Sequence, residues 1–255
     1  MEALDLYVRD DEHCASLTRD FFILQRRKGH RYSVDDLLVA FVASSGTPPA
    51  RVLDLGCGIG SVILMVGWAW PDAKLVGIEA QQESTALALR NLSLNEQQAR
   101  TTIVQGDLRD HALLDRLGTF DLVTGTPPYF DPKAATPCSD PQRAHAKFEL
   151  RGGIEDYAKA AALLLAPAGR FIVCSTASPP ERGRAAITDA GLFVQSIWPV
   201  LPGPERLAFL DLLVATHEPC EPEIREPLVL RLQDGRRSPE HARIRERFGV
   251  AASEW

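Results

Sequence analysis

The sequence predicts an α/β fold: one mostly parallel sheet covered by helices on both faces and closed by an antiparallel pair of strands. Three observations predict it. From Arg51 onward, short apolar runs alternate with stretches of helical length, the pattern of consecutive βαβ units. Such units place their strands in parallel, because the intervening helix carries the chain back to the same end of the sheet. The last two apolar runs, residues 192–200 and 207–216, are joined only by Leu201-Pro202-Gly203-Pro204-Glu205-Arg206. That link is too short for a crossover helix, so this pair must be antiparallel.

The first 45 residues hold no sheet pattern long enough for a domain of their own. Within them, residues 33–43 read as a helix with Ser33 as N-cap and Asp36 in the capping-box position, ended by Gly46-Thr47-Pro48-Pro49. Strands are expected at 51–55, 74–79, 102–105, 121–125 and 169–175. Helices are expected at 60–70, stopped by Pro71, and at 83–95, near 113–117 and at 154–165. A further helix at 180–190 closes on Gly191, as a left-handed cap would. Beyond His217 the chain is rich in Pro, Glu and Arg, with one apolar run at 227–230 and a turn signal at Asp234-Gly235. Five parallel strands followed by an antiparallel hairpin is the order of the Rossmann-like, seven-stranded class I methyltransferase sheet.

Composition narrows the function. A chain of 255 residues suits one sizeable α/β domain, and 45% hydrophobic with 24% charged residues is ordinary globular usage. No apolar stretch approaches the ~18 residues of a membrane span. The first residues lack the basic start and apolar core of a secretion signal, so a cytoplasmic location is expected. Five scattered cysteines with no C-x-x-C argue against a zinc site and a disulfide framework. A formal charge of −6 counts against a nucleic-acid partner unless the basic residues cluster. They do cluster: Arg26, Arg27, Lys28 and Arg31 form one block, and Arg236-Arg237 with Arg243, Arg245 and Arg247 another. Either block could also be a solvated face.

Three short motifs carry chemistry. Asp54-Leu55-Gly56-Cys57-Gly58-Ile59-Gly60 follows the first strong strand and opens a helix. Its spacing is G-x-G-x-G rather than the dinucleotide pattern, and its glycines allow a sharp turn with a ligand against bare backbone. Glu79 ends the next strand, about twenty residues past the loop, where a carboxylate can take both hydroxyls of a ribose. After the third strand comes Gly106-Asp107-Leu108, with Asp107 placed to accept the exocyclic amine of an adenine. No basic residue accompanies the glycine loop and Asp54 precedes it, which suits a ligand with a positive amino and sulfonium centre better than a pyrophosphate. The expected cofactor is therefore S-adenosylmethionine rather than NAD.

The fourth strand delivers Thr126-Pro127-Pro128-Tyr129 to the carboxyl edge of the sheet, where open α/β sheets bind ligands. The prolines restrict where the Pro127 carbonyl points. That carbonyl and the Thr126 hydroxyl can each accept from one N–H of a planar amine, and Tyr129 offers a flat face for an extruded base.

With these residues the chain resembles the class I methyltransferases that carry an Asn/Asp-Pro-Pro-Tyr/Phe motif, most closely the bacterial tRNA adenine-N6 methyltransferases acting next to the anticodon of valine tRNA. Gly29-His30-Arg31-Tyr32-Ser33-Val34-Asp35-Asp36, Ala144-His145-Ala146-Lys147-Phe148-Glu149 and the closing Ser238-Pro239-Glu240 also resemble that family. The resemblance implies that Asp35 lies near the cofactor, together with Asp54, Gly56, Gly58, Gly60, Glu79, Asp107 and Leu108. It implies catalysis by Thr126, Pro127, Pro128 and Tyr129, RNA held through Arg26, Arg27, Lys28 and Arg31, and tRNA as the partner; a monomer is favoured but the sequence leaves the oligomeric state open. Residues 1–45 then form a segment capping the cofactor site, 46–217 the methyltransferase domain and 218–255 a tail packed on it. The family usually has Asn where this chain has Thr126, whose oxygen reaches less far and can also donate. That departure keeps other acceptors open, namely guanine N2 in rRNA or a protein glutamine amide, as well as a cofactor-binding RNA protein with weak catalysis.

Overall fold

The computed structural model describes residues 8–133 and 138–250. The expected N-terminal and C-terminal segments extend to residues 1–7 and 251–255, which lie outside the described residues. The chain opens with a two-stranded hairpin, β1 (Glu12–Ser16) and β2 (Phe22–Arg26), and then helix α1 (Val34–Ala43). The alternating part follows: β3 (Arg51–Leu55), α2 (Ser61–Ala69), β4 (Lys74–Glu79), α3 (Gln82–Leu94), β5 (Thr101–Gln105), α4 (His111–Leu114) and β6 (Phe120–Gly125). Then come α5 (Pro141–Lys147), α6 (Ile154–Leu164), β7 (Leu165–Thr176), α7 (Arg182–Asp189), β8 (Phe193–Leu201) and β9 (Leu210–Thr216). Two short strands, β10 (Glu223–Ile224) and β11 (Leu228–Val229), and helix α8 (Pro239–Arg247) complete it.

The large sheet runs β8-β9-β7-β6-β3-β4-β5 through its seven main strands, with β10 and β11 both added beside β8. Strands β3 to β7 are parallel, and β9 is antiparallel to both β7 and β8. The central strands are near-continuous apolar runs because helices cover both faces. Helices α1, α2 and α3 bury Leu38, Ile63, Leu64 and Leu87 on one face, and α4, α6 and α7 bury Leu114, Tyr157, Leu164 and Ile187 on the other.

Helix α1 begins as its sequence requires. The Ser33 N–H donates to Asp36 Oδ2 at 3.1 Å, and the Ser61 hydroxyl donates to the same oxygen at 3.0 Å, which ties the first turn of α1 to that of α2. The strands expected at 51–55 and 74–79 match β3 and β4 residue for residue. Helix α4 starts earlier than expected because Asp110 caps it, accepting from the N–H groups of Ala112 and Leu113.

The β1–β2 hairpin, α5 and α8 were not anticipated. The outer edge of β2 is covered by a helix. Asn95, the C-cap of α3, donates to Phe22 O (2.7 Å) and accepts from Phe22 N (2.8 Å), while Asn91 of α3 does the same with Leu24 O (3.0 Å) and Leu24 N (2.7 Å). Four residues of helix rise about 6 Å and two residues of strand about 6.7 Å, so two asparagines one turn apart stand in for a neighbouring strand. A buried ion pair fastens the other strand. Arg90 donates to both oxygens of Glu12, at 2.6 and 2.9 Å, with both side chains about 95% removed from solvent. The tail returns to the body of the protein: Ile244 and Phe248 join the core shared with α1, and the Arg247 guanidinium donates to Ser44 O at 3.0 Å.

Candidate active site

Loops from β3, β4, β5 and β6 meet at the carboxyl edge of the sheet. Gly56 and Gly58 both have positive φ, +61° and +56°, which only glycine adopts freely. A Cβ on Gly56 would also collide with the Tyr157 hydroxyl. The loop is braced from below, since Glu79 Oε2 accepts from the Gly58 N–H at 2.9 Å and Glu79 Oε1 accepts from Gln81 N at 2.6 Å. Burial raises the Glu79 pKa, and those backbone N–H groups oppose the rise.

The resulting cleft encloses about 710 Å³, part of it open to solvent. Gly56, Gly58, Glu79, Asp107, Leu108, Thr126 and Pro128 all line it, as do His30, Ser84, His145, Arg151 and Tyr157. Acidic and basic groups therefore face one space. Arg109 grips the Asp107 carboxylate in a fork, at 2.9 and 2.7 Å, and holds its pKa below the usual range.

A second depression, of about 1150 Å³ and also open to solvent, adjoins the first. Its wall holds Thr126, Pro127, Pro128, Tyr129 and Phe130 together with Arg27, Lys28, Arg31, Arg143 and Lys147. Thr126, Pro128, His30 and Ala146 belong to both cavities. The corner that ends β6 is therefore the partition between the glycine-loop cleft and a basic pocket. The Tyr129 hydroxyl donates to Asp35 Oδ2 at 3.2 Å. Burial first, with Asp36 adding to it, pushes the Asp35 pKa up to about 6, and burial and the Asp35 carboxylate together raise that of Tyr129. The ring of His30 lies 3.7 Å from the position a Cβ on Gly58 would take, and burial lowers its pKa against the pull of Asp36.

Four expected residues lie outside the wall of the glycine-loop cleft or are held by other partners. Asp54 is 1% exposed and lines neither cavity; its Oδ1 accepts from the Thr124 hydroxyl at 2.8 Å, and burial pushes its pKa up to about 8. Its carboxyl lies in the interior beside Thr124 and outside both walls. Gly60 is likewise absent from the walls and serves as the left-handed N-cap of α2. Asp35 faces the basic pocket rather than the cleft. Arg26 is committed to Asp11, Glu83 and Asp140, at 3.3, 3.0 and 3.1 Å; among the described residues no carboxylate pairs with Arg27, Lys28 or Arg31 in this way.

Sequence reasoning missed Arg143, His145, Lys147 and Arg151 as site residues. Helix α5 carries the first three, and it announces itself only by Asp140 as N-cap and Pro141 in the first turn. Its Gln142, 1% exposed, is the fastening point: Oε1 accepts from His30 N (3.1 Å) and Arg26 Nη1 (3.3 Å), and Nε2 donates to Ser84 Oγ (3.2 Å). One side chain thus holds the basic loop, α5 and the wall of the cleft together.

The strand order and the position of this cleft decide the architecture. The fold is that of the class I methyltransferases. The family model described as methyltransferase small domain matches residues 34–140, which run from α1 through the glycine loop to the Pro-Pro-Tyr corner. Two solved structures share this methyltransferase fold. One is a predicted O-methyltransferase from Agrobacterium tumefaciens (TM-score 0.63, 21% identity, 85% of this chain and 97% of the other). The other is a ribosomal protein L11 methylase from Lactobacillus delbrueckii subsp. bulgaricus (TM-score 0.55, 14% identity, 81% and 100%). Among curated relatives named tRNA1(Val) (adenine(37)-N6)-methyltransferase, that of Porphyromonas gingivalis W83 is 31% identical over 60% of this chain, and the chain spans 61% of its length. That of Tolumonas auensis is 26% identical over 92% of this chain and 96% of its own. Within this methyltransferase fold, the matched stretch contains both glycines of the turn, Glu79, Asp107 and the whole of the partition.

Proposed function

We propose that this chain transfers a methyl group from S-adenosylmethionine to the exocyclic amine of a base in RNA, with N6 of an adenine in tRNA as the acceptor. One observation carries the reading: Thr126 and Pro128 line the glycine-loop cleft and the basic pocket at once, so a ligand in one space meets a ligand in the other at the Thr126–Tyr129 corner. The names of the curated relatives support the choice of acceptor.

The cleft suits a zwitterion. Glu79 is placed for ribose hydroxyls and Asp107 for an adenine amine, while Arg151 supplies positive charge for a carboxylate. S-adenosylmethionine bound there supplies a methyl group on a sulfonium, activated toward a nitrogen nucleophile. The acceptor needs more help, because the lone pair of an aromatic amine is delocalised into its ring. The Pro127 carbonyl and the Thr126 oxygen, each accepting from one N–H, would draw that nitrogen toward tetrahedral geometry and aim its lone pair across the partition. No strong base is required, since the proton leaves after the nitrogen has become cationic. Five cations around the pocket, Arg27, Lys28, Arg31, Arg143 and Lys147, hold phosphates while the base is extruded.

The test is direct. The protein is incubated with methyl-labelled cofactor and total tRNA from a strain lacking the enzyme, and the RNA is digested to nucleosides. Labelled N6-methyladenosine is expected. Label in another nucleoside moves the acceptor, and no label in RNA overturns the reading.

A further inference from the structure

The partition ends in Phe130, an aromatic residue the chemistry above leaves unused. Its backbone is fixed on both sides: the N–H donates to Lys147 O at 3.3 Å and the carbonyl accepts from Glu149 N at 3.1 Å. The residue is nevertheless 42% exposed and lines the basic pocket. The neighbouring Tyr129 ring differs. It is half-buried against the core, with its hydroxyl held by Asp35. The two rings lie 4.9 Å apart and tilted by 38°, so they form one stepped aromatic surface. The Lys147 ammonium sits 5.0 Å from the Phe130 centroid and 5.3 Å from that of Phe148. A cation over an exposed ring is a weaker partner than a stacked base. Lys147 can therefore yield the ring to a base and move to a phosphate. The pocket is also larger than the glycine-loop cleft and open to solvent, so a chain of nucleotides can run along its wall.

We infer that Phe130, flanked by Lys147, is a second nucleobase subsite that stacks the nucleotide adjacent to the methylated one. The inference rests on the reading of the site as an RNA base methyltransferase. It makes Phe130 a residue that selects single-stranded RNA and fixes which base enters the catalytic corner.

The experiment uses the full chain with a tRNA anticodon-arm RNA and two derivatives, each with one abasic nucleotide immediately 5′ or immediately 3′ of the acceptor. With the unaltered protein, one of the two abasic RNAs should raise KM by about ten- to a hundredfold. Phe130→Ala should raise KM on the intact RNA by a similar factor and show no further penalty with that abasic RNA, because ring and base act as one contact. Phe130→Trp should restore KM; Phe130→Leu, which keeps apolar bulk without a π-face, should not. Calorimetry should give the variants an S-adenosylmethionine affinity close to that of the unaltered protein. The subsite is overturned if Phe130→Leu behaves like the unaltered protein, or if the abasic and Phe130→Ala penalties multiply as independent effects. Failure of the unaltered protein to methylate any RNA overturns the parent reading and the subsite together, an outcome distinct from transfer that ignores Phe130.

Discussion

Glu79 and Tyr129 lie on opposite sides of one partition, and their substitutions should separate accordingly. Glu79→Ala removes the proposed ribose anchor and the acceptor that holds Gly58 N, so cofactor affinity should fall at least tenfold by calorimetry, ahead of any loss at saturating cofactor. Tyr129→Ala should abolish most turnover while leaving cofactor affinity nearly intact; equal loss of both would contradict the roles assigned. The pair Tyr129–Asp35 also sets a pH dependence. Burial pushes the Asp35 pKa up to about 6, against an ordinary value near 3.9. The folded protein thus holds this proton more tightly than the unfolded chain does, so the contribution of Asp35 to stability is present at low pH and is lost as pH rises through about 6. Its ionised form, the better acceptor for the Tyr129 hydroxyl, grows over the same range. The expected result is a kcat/KM that climbs through about pH 6 while the thermal midpoint drifts down, with Asp35→Asn flattening both.

Among the elements, the N-terminal hairpin is the one whose attachment is most specific. The Glu12–Arg90 pair is buried, and burial raises the Glu12 pKa less than the hydrogen bonds from Arg90 and Arg9 N–H lower it. Removing one partner strands a charge, so Glu12→Ala should cost about 3–5 kcal/mol in urea denaturation. A Glu12→Met/Arg90→Met double variant should cost less than either single change, because no charge is then left unpaired. The hairpin escaped the sequence reading for a physical reason. Its strands are five residues each and its outer edge is completed by Asn91 and Asn95, contacts some 70 positions away in the chain. Helices α5 and α8 were more legible than they were made. Asp140-Pro141 and Ser238-Pro239 each place an N-cap before a proline in the first turn, a start signal that a proline-rich setting disguised as loop.

At the scale of the whole molecule, a net charge of −6 means that the proposed RNA substrate would be drawn to the places where positive charge is gathered. The basic wall of the second pocket is such a place, and binding should weaken steeply with salt. Arg31→Ala should reduce the slope of log affinity against log salt by about 0.7–1 while weakening all RNA sequences alike. Arg26→Ala should instead lower thermal stability and leave the slope nearly unchanged, because its guanidinium is tied to three carboxylates. Filter binding across a salt series distinguishes the two.

The sequence alone determined the alternation of strands and helices from Arg51 to Thr216 apart from α5, the antiparallel closing pair, the glycine turn and the Thr126–Tyr129 corner, because each is written in local periodicity, turn chemistry or short spacing. Tertiary structure decided how those pieces divide the work. It buried Asp54 against Thr124, turned Asp35 toward Tyr129, spent Arg26 on carboxylates, and brought α5 with Gln142 and Lys147 against the basic loop. Those outcomes depend on which side chains compete for the same buried donors and charges, and the competitors lie tens to more than a hundred residues apart along the chain.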